Sequence, residues 1–307
     1  MDGSKLVSQK NSPENIKGNM QTSDRPRFIV LPIKPGDSQT FNGIGLGIHF
    51  LLGNVMAVHT ELKEFWFGWR VNKIFLDQKK LIDYCRGKSD LQSIPQLATD
   101  QDIRYWLSGS FTQKNDKVLL KLKLTDVGET LKQYDRNFEL NPSDQAIGFR
   151  KEFLQWLNDS GLPMPAEQVP MALWPEKISL QGLDYLGRAM ETTYLSFFNS
   201  ASDEKPIDLH WFDQAVSDSP ESYLSWDVKG WALYKNRDYE SAFKVFKSAI
   251  TFNRKGLGVL SGLMWCCIYA NEAENACRYA IEKADVRNES RENARNSVAK
   301  KISKIFS

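Results

Sequence analysis

The residues able to do acid–base, nucleophilic or metal chemistry are few. The 307 residues hold three histidines, His49, His59 and His210, and four cysteines, Cys85, Cys266, Cys267 and Cys277. A structural zinc site takes four converging Cys or His ligands, commonly in CxxC pairs. No CxxC pair occurs, and the adjacent Cys266 and Cys267 point in different directions on a helix. The expectation is therefore no metal site and four reduced, mostly buried thiols. The histidines offer no nucleophile, base and orienting group on neighbouring elements. Ser108-Gly109-Ser110 sits in a strand-like run rather than at the strand–turn–helix elbow that presents a serine nucleophile. Gly43-Ile44-Gly45-Leu46-Gly47 stands between an extended run and a helical one, where glycines can cradle a phosphate on a helix N-terminus. Its spacing is not GxGxxG, a long loop precedes it, and no suitable acidic residue ends the next strand. Close helix–sheet packing is the expectation there, and neither a catalytic residue nor a cofactor is assigned.

Recognition chemistry is better supplied. The chain carries 17 Phe, 10 Tyr and 9 Trp, enough apolar surface for two cores with some left for a binding face. In Phe65-Trp66-Phe67-Gly68-Trp69 a strand would direct Trp66 to one face and Phe65, Phe67 and Trp69 to the other. Either both faces are buried under separate layers, or Trp66 and Trp69 form an exposed platform for a sugar, peptide or partner domain.

The elements that must position these groups divide the chain. Residues 1–25 are polar and aperiodic and read as a disordered tail. A first domain over 26–160 opens with the buried-strand pattern of 28–33, followed by a helical segment at 44–59, an aromatic strand at 65–71 and a helix at 75–85. Strand 104–113 leads through Lys114-Asn115-Asp116 to Val118, Leu120, Leu122 and Leu124, which alternate with polar residues as a one-faced strand does. A second turn and a third strand, 131–140, precede a helix at 143–157. This order predicts an α+β domain, a small mixed sheet with helices on one face. Residues 161–178 hold four prolines and form a linker, and 179–307 is helical throughout.

Forty Lys+Arg against 38 Asp+Glu give a net charge of +2, which provides no overall attraction to nucleic acid or anionic lipid. No run reaches the ~18 apolar residues that cross a bilayer, and the N-terminus does not read as a secretory signal. No membrane insertion and a cytoplasmic location are expected.

The first domain resembles the TolB amino-terminal-like domains that accompany tetratricopeptide repeats in CadC-like regulators and in some bacterial cyclases and kinases. Residues 28–33, Tyr105-Trp106-Leu107-Ser108-Gly109-Ser110-Phe111, Leu124-Thr125-Asp126 and Gly128-Glu129 carry the resemblance over about 26–140. Lys132 stands where such domains often have Trp.

The helical half repeats. Phe212 and Phe246, Ala215 and Ala249, Trp231 and Trp265, and Ala242 and Ala276 are each 34 residues apart. Over 223–256, Trp226, Gly230, Leu233, Tyr239, Ala242, Phe246 and Ala249 fall at the signature places of a tetratricopeptide unit, which this segment resembles. The next unit keeps Leu260, Ala276 and Ala280 but has Met264 for the glycine. The unit before is irregular, with helices at 179–198 and 208–217, and 290–306 reads as a capping helix. The resemblance implies a groove lined by the first helix of each unit. Trp231 and Trp265 would face its ligand beside Asp227, Tyr234, Lys235, Ser261 and Tyr269. The family's lysine–asparagine carboxylate clamp is missing, so an apolar or aromatic segment is the expected occupant. Alternatively, the two tryptophans stack on each other or on the linker. The leading expectation is a non-catalytic adaptor or sensor that binds a protein or peptide partner, with homo-oligomers left open. An enzyme or a nucleotide- or carbohydrate-binding protein using the α/β domain is the alternative, and a structural subunit is the third.

Overall fold

The structure, a computed structural model, describes residues 25–36, 42–66, 78–90, 94–142, 146–165, 177–199 and 206–306, without the side chains of 66, 78–79 and 195–199. All of the expected 1–25 tail except Arg25, together with Trp69 and most of the proline-rich linker, lies outside the described residues, as does the side chain of Trp66. Among the described residues the fold is α+β, with a mixed six-stranded sheet and eleven helices.

The sheet comprises β1 (Arg27–Val30), β2 (Lys34–Pro35), β3 (Lys63–Trp66), β4 (Ile103–Lys114), β5 (Lys117–Asp126) and β6 (Lys132–Leu140). Its order is β3-β1-β4-β5-β6, with β2 beside the far end of β4. β1 runs parallel to both β3 and β4, which demands crossover connections; α1 (Ile44–His59) supplies the first. β4, β5 and β6 form an antiparallel meander. Its first turn is tight because Asn115 adopts φ 58°, a left-handed conformation that asparagine tolerates. Alternation then sorts the two faces. Phe111, Leu120 and Phe138 are cross-strand neighbours on the buried face, while Ser110, Lys121 and Asn137 line up on the other. The buried face carries α1 and α4 (Ile147–Asp159), whose Phe149 and Trp156 lie edge-on to Phe138 at 5.4 and 5.5 Å. α4 starts after Ala146 at φ 61°, and residues 143–145 of the helix expected at 143–157 lie outside the described residues. Two further helices, α2 (Gln78–Cys85) and α3 (Ile94–Asp100), precede β4. α3 was not expected: seven residues with only Ile94 and Ala98 buried are too short for a helical period to register.

After the proline-rich stretch come α5 (Leu180–Asn199), α6 (His210–Asp218), α7 (Tyr223–Lys235), α8 (Tyr239–Phe252), α9 (Leu257–Tyr269), α10 (Ala273–Val286) and α11 (Arg291–Phe306). α7 and α9 are each 13 residues long and begin 34 residues apart; α8 and α10, each 14 long, do the same. The turn after α7 recurs after α9. Arg237 and Asn271, also 34 apart, both take left-handed φ, 64° and 58°. The next N–H, of Asp238 or Glu272, bonds back to the carbonyl of Leu233 or Cys267 at 3.1 or 2.8 Å, closing the same helix-ending motif. Between the helices, the ring of Phe246 fits where a Cβ on Gly230 or Gly262 would meet it at 2.5 or 2.3 Å.

α5 does not stand apart from the sheet. Leu183, Leu186, Ala189 and Met190 belong to one continuous core with β1, β4 and α1, and Phe212, Leu224 and Val228 extend it into α6 and α7. The contact between α1 and α5 is backbone to backbone. A Cβ on Gly187 would lie 1.6 Å from the Gly43 carbonyl oxygen, and one on Gly47 would lie 2.1 Å from that of Leu183. Gly187→Ala in an ordinary helix would stabilise by up to ~1 kcal/mol. Here it is expected to destabilise by about 3 kcal/mol or more, read as a lowered urea midpoint; an unchanged or raised midpoint would contradict the close crossing.

His49 and His59 sit buried on α1. Burial pushes His49 down to about 3; burial, with the nearby Arg150 charge, pushes His59 down to about 4. The unfolded chain takes up these protons near pH 6.5, whereas the fold refuses them until far lower pH. Stability is thus complete above pH 6.5 and falls as pH drops toward 4, by about 1.4 kcal/mol per histidine per pH unit. Melting temperatures measured from pH 7.5 to 4.5 are expected to fall, and His59→Gln to flatten the slope. A wild-type profile without that slope would rule out a pair of neutral buried imidazoles.

Candidate functional site

α7 is started by Ser222, whose hydroxyl accepts from the Ser225 N–H at 3.0 Å, and is tied to α9 by Tyr223, whose hydroxyl accepts from the Val259 N–H at 3.3 Å. With these two helices held side by side, Asp227, Trp231, Tyr234 and Lys235 of α7 meet Ser261 and Trp265 of α9 around one cleft of about 780 Å³. That volume lies in the range of pockets that bury a small ligand, ~300–1,000 Å³. α1 forms the facing wall through Asn54, Ala57 and Val58, with Glu64 of β3 beside it; Lys283 of α10, Arg287 just beyond its end and Lys301 of α11 close the remaining side. Six of the seven residues expected to face a groove therefore line a single cavity. The seventh, Tyr269, does not: it lies on the rim, stacked on Tyr239 at 4.3 Å and 6.4 Å from Trp265.

Trp231 and Trp265 are half-buried. Trp231 packs edge-on against Phe246 at 5.5 Å and Tyr234 at 5.3 Å, and among the described residues no ring contact joins the two tryptophans. Each thus has one edge in the helical core and one in the cleft. Asp227 is buried at the cleft floor, where Gly258 leaves it room: a Cβ there would lie 2.3 Å from its Oδ2.

Sequence reasoning missed the cations. Lys283 Nζ donates to Ser261 Oγ at 2.6 Å, and burial, then the Arg287 charge, holds its ammonium below the usual lysine range. Lys301 Nζ stands 5.7 Å from the Trp265 ring centre and bonds to the Ser297 hydroxyl. Arg287 pairs with Glu289 at 3.3 Å. The signal for two of them was present. Lys283 and Arg287 follow the buried Ala280 by three and seven residues, which sets them on the same helix face.

The other candidates read differently. Gly45 packs on the sheet beneath α1, where a Cβ would meet the Ile33 carbonyl oxygen at 2.1 Å, whereas Gly43 and Gly47 face α5. The N–H of Gly43 donates to Asp184 Oδ1 at 2.8 Å, and Asp184 is paired with Arg188 at 2.7 Å. A carboxylate of the protein thus occupies the helix N-terminus where a phosphate would lie. A second cavity, of about 970 Å³, opens on the polar sheet face beside Trp106, Ser108, Ser110 and Lys121. There Lys34 is ion-paired with Asp90 and lies 5.1 Å from the Tyr84 ring centre.

Among the described residues no three His, Cys, Asp or Glu side chains group as metal ligands would, and no helix is long and apolar enough to cross a membrane. No protein-family model matches the chain, and no curated protein matches its sequence. All four thiols are free. Burial pushes Cys266 up to about 12, Cys267 up to about 11 and Cys85 higher still, so little thiolate forms at neutral pH. Titration with a disulfide reagent at pH 8 is expected to modify only the half-buried Cys277 rapidly in the folded protein, and all four thiols in denaturant. Fast reaction at Cys266 or Cys267 would contradict their burial.

Proposed function

We propose that the chain is a non-catalytic interaction module that binds a protein segment in the cleft between α1 and the α7–α9 pair. The observation that carries this reading is the convergence of Trp231, Trp265, Asp227, Tyr234, Lys235 and Ser261, chosen as ligand-facing residues of tetratricopeptide units, on one cavity. The repeat reading is further supported by two helix pairs of equal lengths at a 34-residue offset and by their matching turns. α5 and α6 would be the irregular first unit and α11 the cap. The α/β part, resembling TolB amino-terminal-like domains, contributes the opposite wall rather than a separate site. Half-buried aromatic edges beside polar groups are typical of surfaces that take one or two apolar side chains of an extended segment. The free thiols and near-neutral charge fit a reducing, cytoplasmic setting and a partner other than nucleic acid.

A small-ligand site on the polar sheet face is the competing reading, favoured by the 970 Å³ cavity alone. The two separate by mutation. Trp231→Ala with Trp265→Ala, checked for retained helicity and cooperative melting, is expected to weaken binding of a captured partner segment at least ~30-fold, since two aromatic anchors are lost. Equal recovery by wild type and variant would remove the cleft reading and direct attention to Lys34 and Lys121.

A further inference from the structure

The cleft holds more positive charge than it neutralises. Lys283 has three donor protons, and the only partner described for its ammonium is the neutral Ser261 hydroxyl. Among the described residues no carboxylate comes within ion-pairing distance of Lys283 or Lys301. Two acids, Glu64 and Glu289, and two cations, Arg287 and Lys301, are close enough to act on Lys283 through space. Glu289 is already engaged with Arg287. An ammonium withdrawn from water without a counter-charge is unfavourable unless something supplies one. Trp265 stands beside the same spot, beneath Lys301.

We propose that Lys283 and Lys301, with the Ser261 hydroxyl, form a carboxylate subsite at the inner end of the cleft, so that the occupant is a peptide segment with an Asp or Glu side chain next to an aromatic or large apolar residue. This rests on the cleft being the binding site. The apolar residue lies along Trp231 and Trp265, and the carboxylate accepts from Lys283 and Lys301. Charge complementarity favours an isolated carboxylate over a polyphosphate chain. Asp227, Glu64 and Glu289 share the cleft and would repel successive phosphates, whereas a single carboxylate placed against the Lys283 and Lys301 ammoniums leaves those acids facing only one added negative charge.

The test is selection from a displayed library of random twelve-residue peptides on the full chain, followed by binding of selected peptides synthesised with acetyl and amide ends. The wild type is expected to enrich Asp or Glu within two residues of an aromatic or large apolar residue. Converting those acids to Asn and Gln is expected to weaken binding about tenfold, as is the Lys283→Met/Lys301→Met variant. Combined, the two changes are expected to cost little more than either alone, because they remove the same interaction. Capped ends ensure that a side-chain carboxylate, not a chain terminus, is being read. If the enriched peptides are aromatic but not acidic, or the lysine variant binds them unchanged, the subsite is wrong while the cleft reading stands. If nothing enriched by the wild type is lost by Trp231→Ala/Trp265→Ala, the cleft reading fails and the subsite with it. Binding of a fifteen-residue oligothymidylate that competes with the peptides and is lost in the lysine variant would overturn the assignment to a peptide. A second measurement separates ligand binding from architecture. Lys283→Met alone is expected to raise the melting temperature by a few degrees, since it removes a buried charge that has no ion-pair partner among the described residues while keeping a straight chain of similar length. A lowered melting temperature would make Lys283 a structural residue and sink the proposal.

Discussion

Where α1 crosses α5, the Gly43 carbonyl occupies space that any side chain at Gly187 would need, and the Leu183 carbonyl does the same toward Gly47. This approach of two backbones brings an element from beyond residue 178 onto the sheet. Once α5 is seated, Leu183, Leu186 and Met190 join the core of β1 and β4, and α6 and α7 follow through Phe212, Leu224 and Val228. α7 is then held at a fixed distance from α1, and that distance is the width of the cleft. Asp184 secures the same junction from the polar side. Its carboxylate accepts the buried N–H at the start of α1, satisfying a donor that the helix itself cannot pair.

The two ends of the cleft differ in kind. Along Trp231 and Trp265 the surface is apolar and shared with the helical core, so its shape is set by Phe246 and by the glycines at 230 and 262 that make room for that ring. Around Lys283, Arg287 and Lys301 the surface is charged and comes from α10, the residue that caps it and α11, the last described helices. An aromatic wall alone would accept many apolar segments. A desolvated cation beside it penalises any occupant that leaves the charge uncovered, which is how a largely apolar site acquires selectivity.

Much of the local structure could be read from residue types. The β4–β5 hairpin announced itself through Leu120, Leu122 and Leu124 alternating after Asn115-Asp116, and α1 was bounded where its apolar run ends. The 34-residue spacing of Trp231 and Trp265 was enough to place both on one wall, because helices of equal length joined by equal turns preserve the facing of each position. What escaped depends on contacts between distant segments. α3 is too short to show a period. The glycines at 43 and 47 looked like a phosphate loop or a helix–sheet contact, and nothing near them in sequence points to α5, some 140 residues away. Lys283, Arg287 and Lys301 were passed over because a charged residue on a helix usually faces water. Only the packing of α10 and α11 on α9 and on each other, with α1 across the cleft, encloses them.

The cleft is therefore a property of the docked molecule rather than of either half. Asn54, Ala57 and Val58 belong to the helix that completes the sheet's core, while Trp231, Ser261, Trp265 and Lys283 belong to helices whose own core is built around Phe246. A segment that fills the cleft touches both sets at once, and its binding energy adds to that of the α1–α5 crossing. The converse holds with equal force. A change that loosens the crossing would widen the cleft and separate the tryptophans from their facing wall, and under the proposed function it would weaken binding without altering any residue that touches the ligand. If the cleft binds a segment as proposed, the α/β part needs no site of its own to matter for recognition, because it sets the distance between the walls.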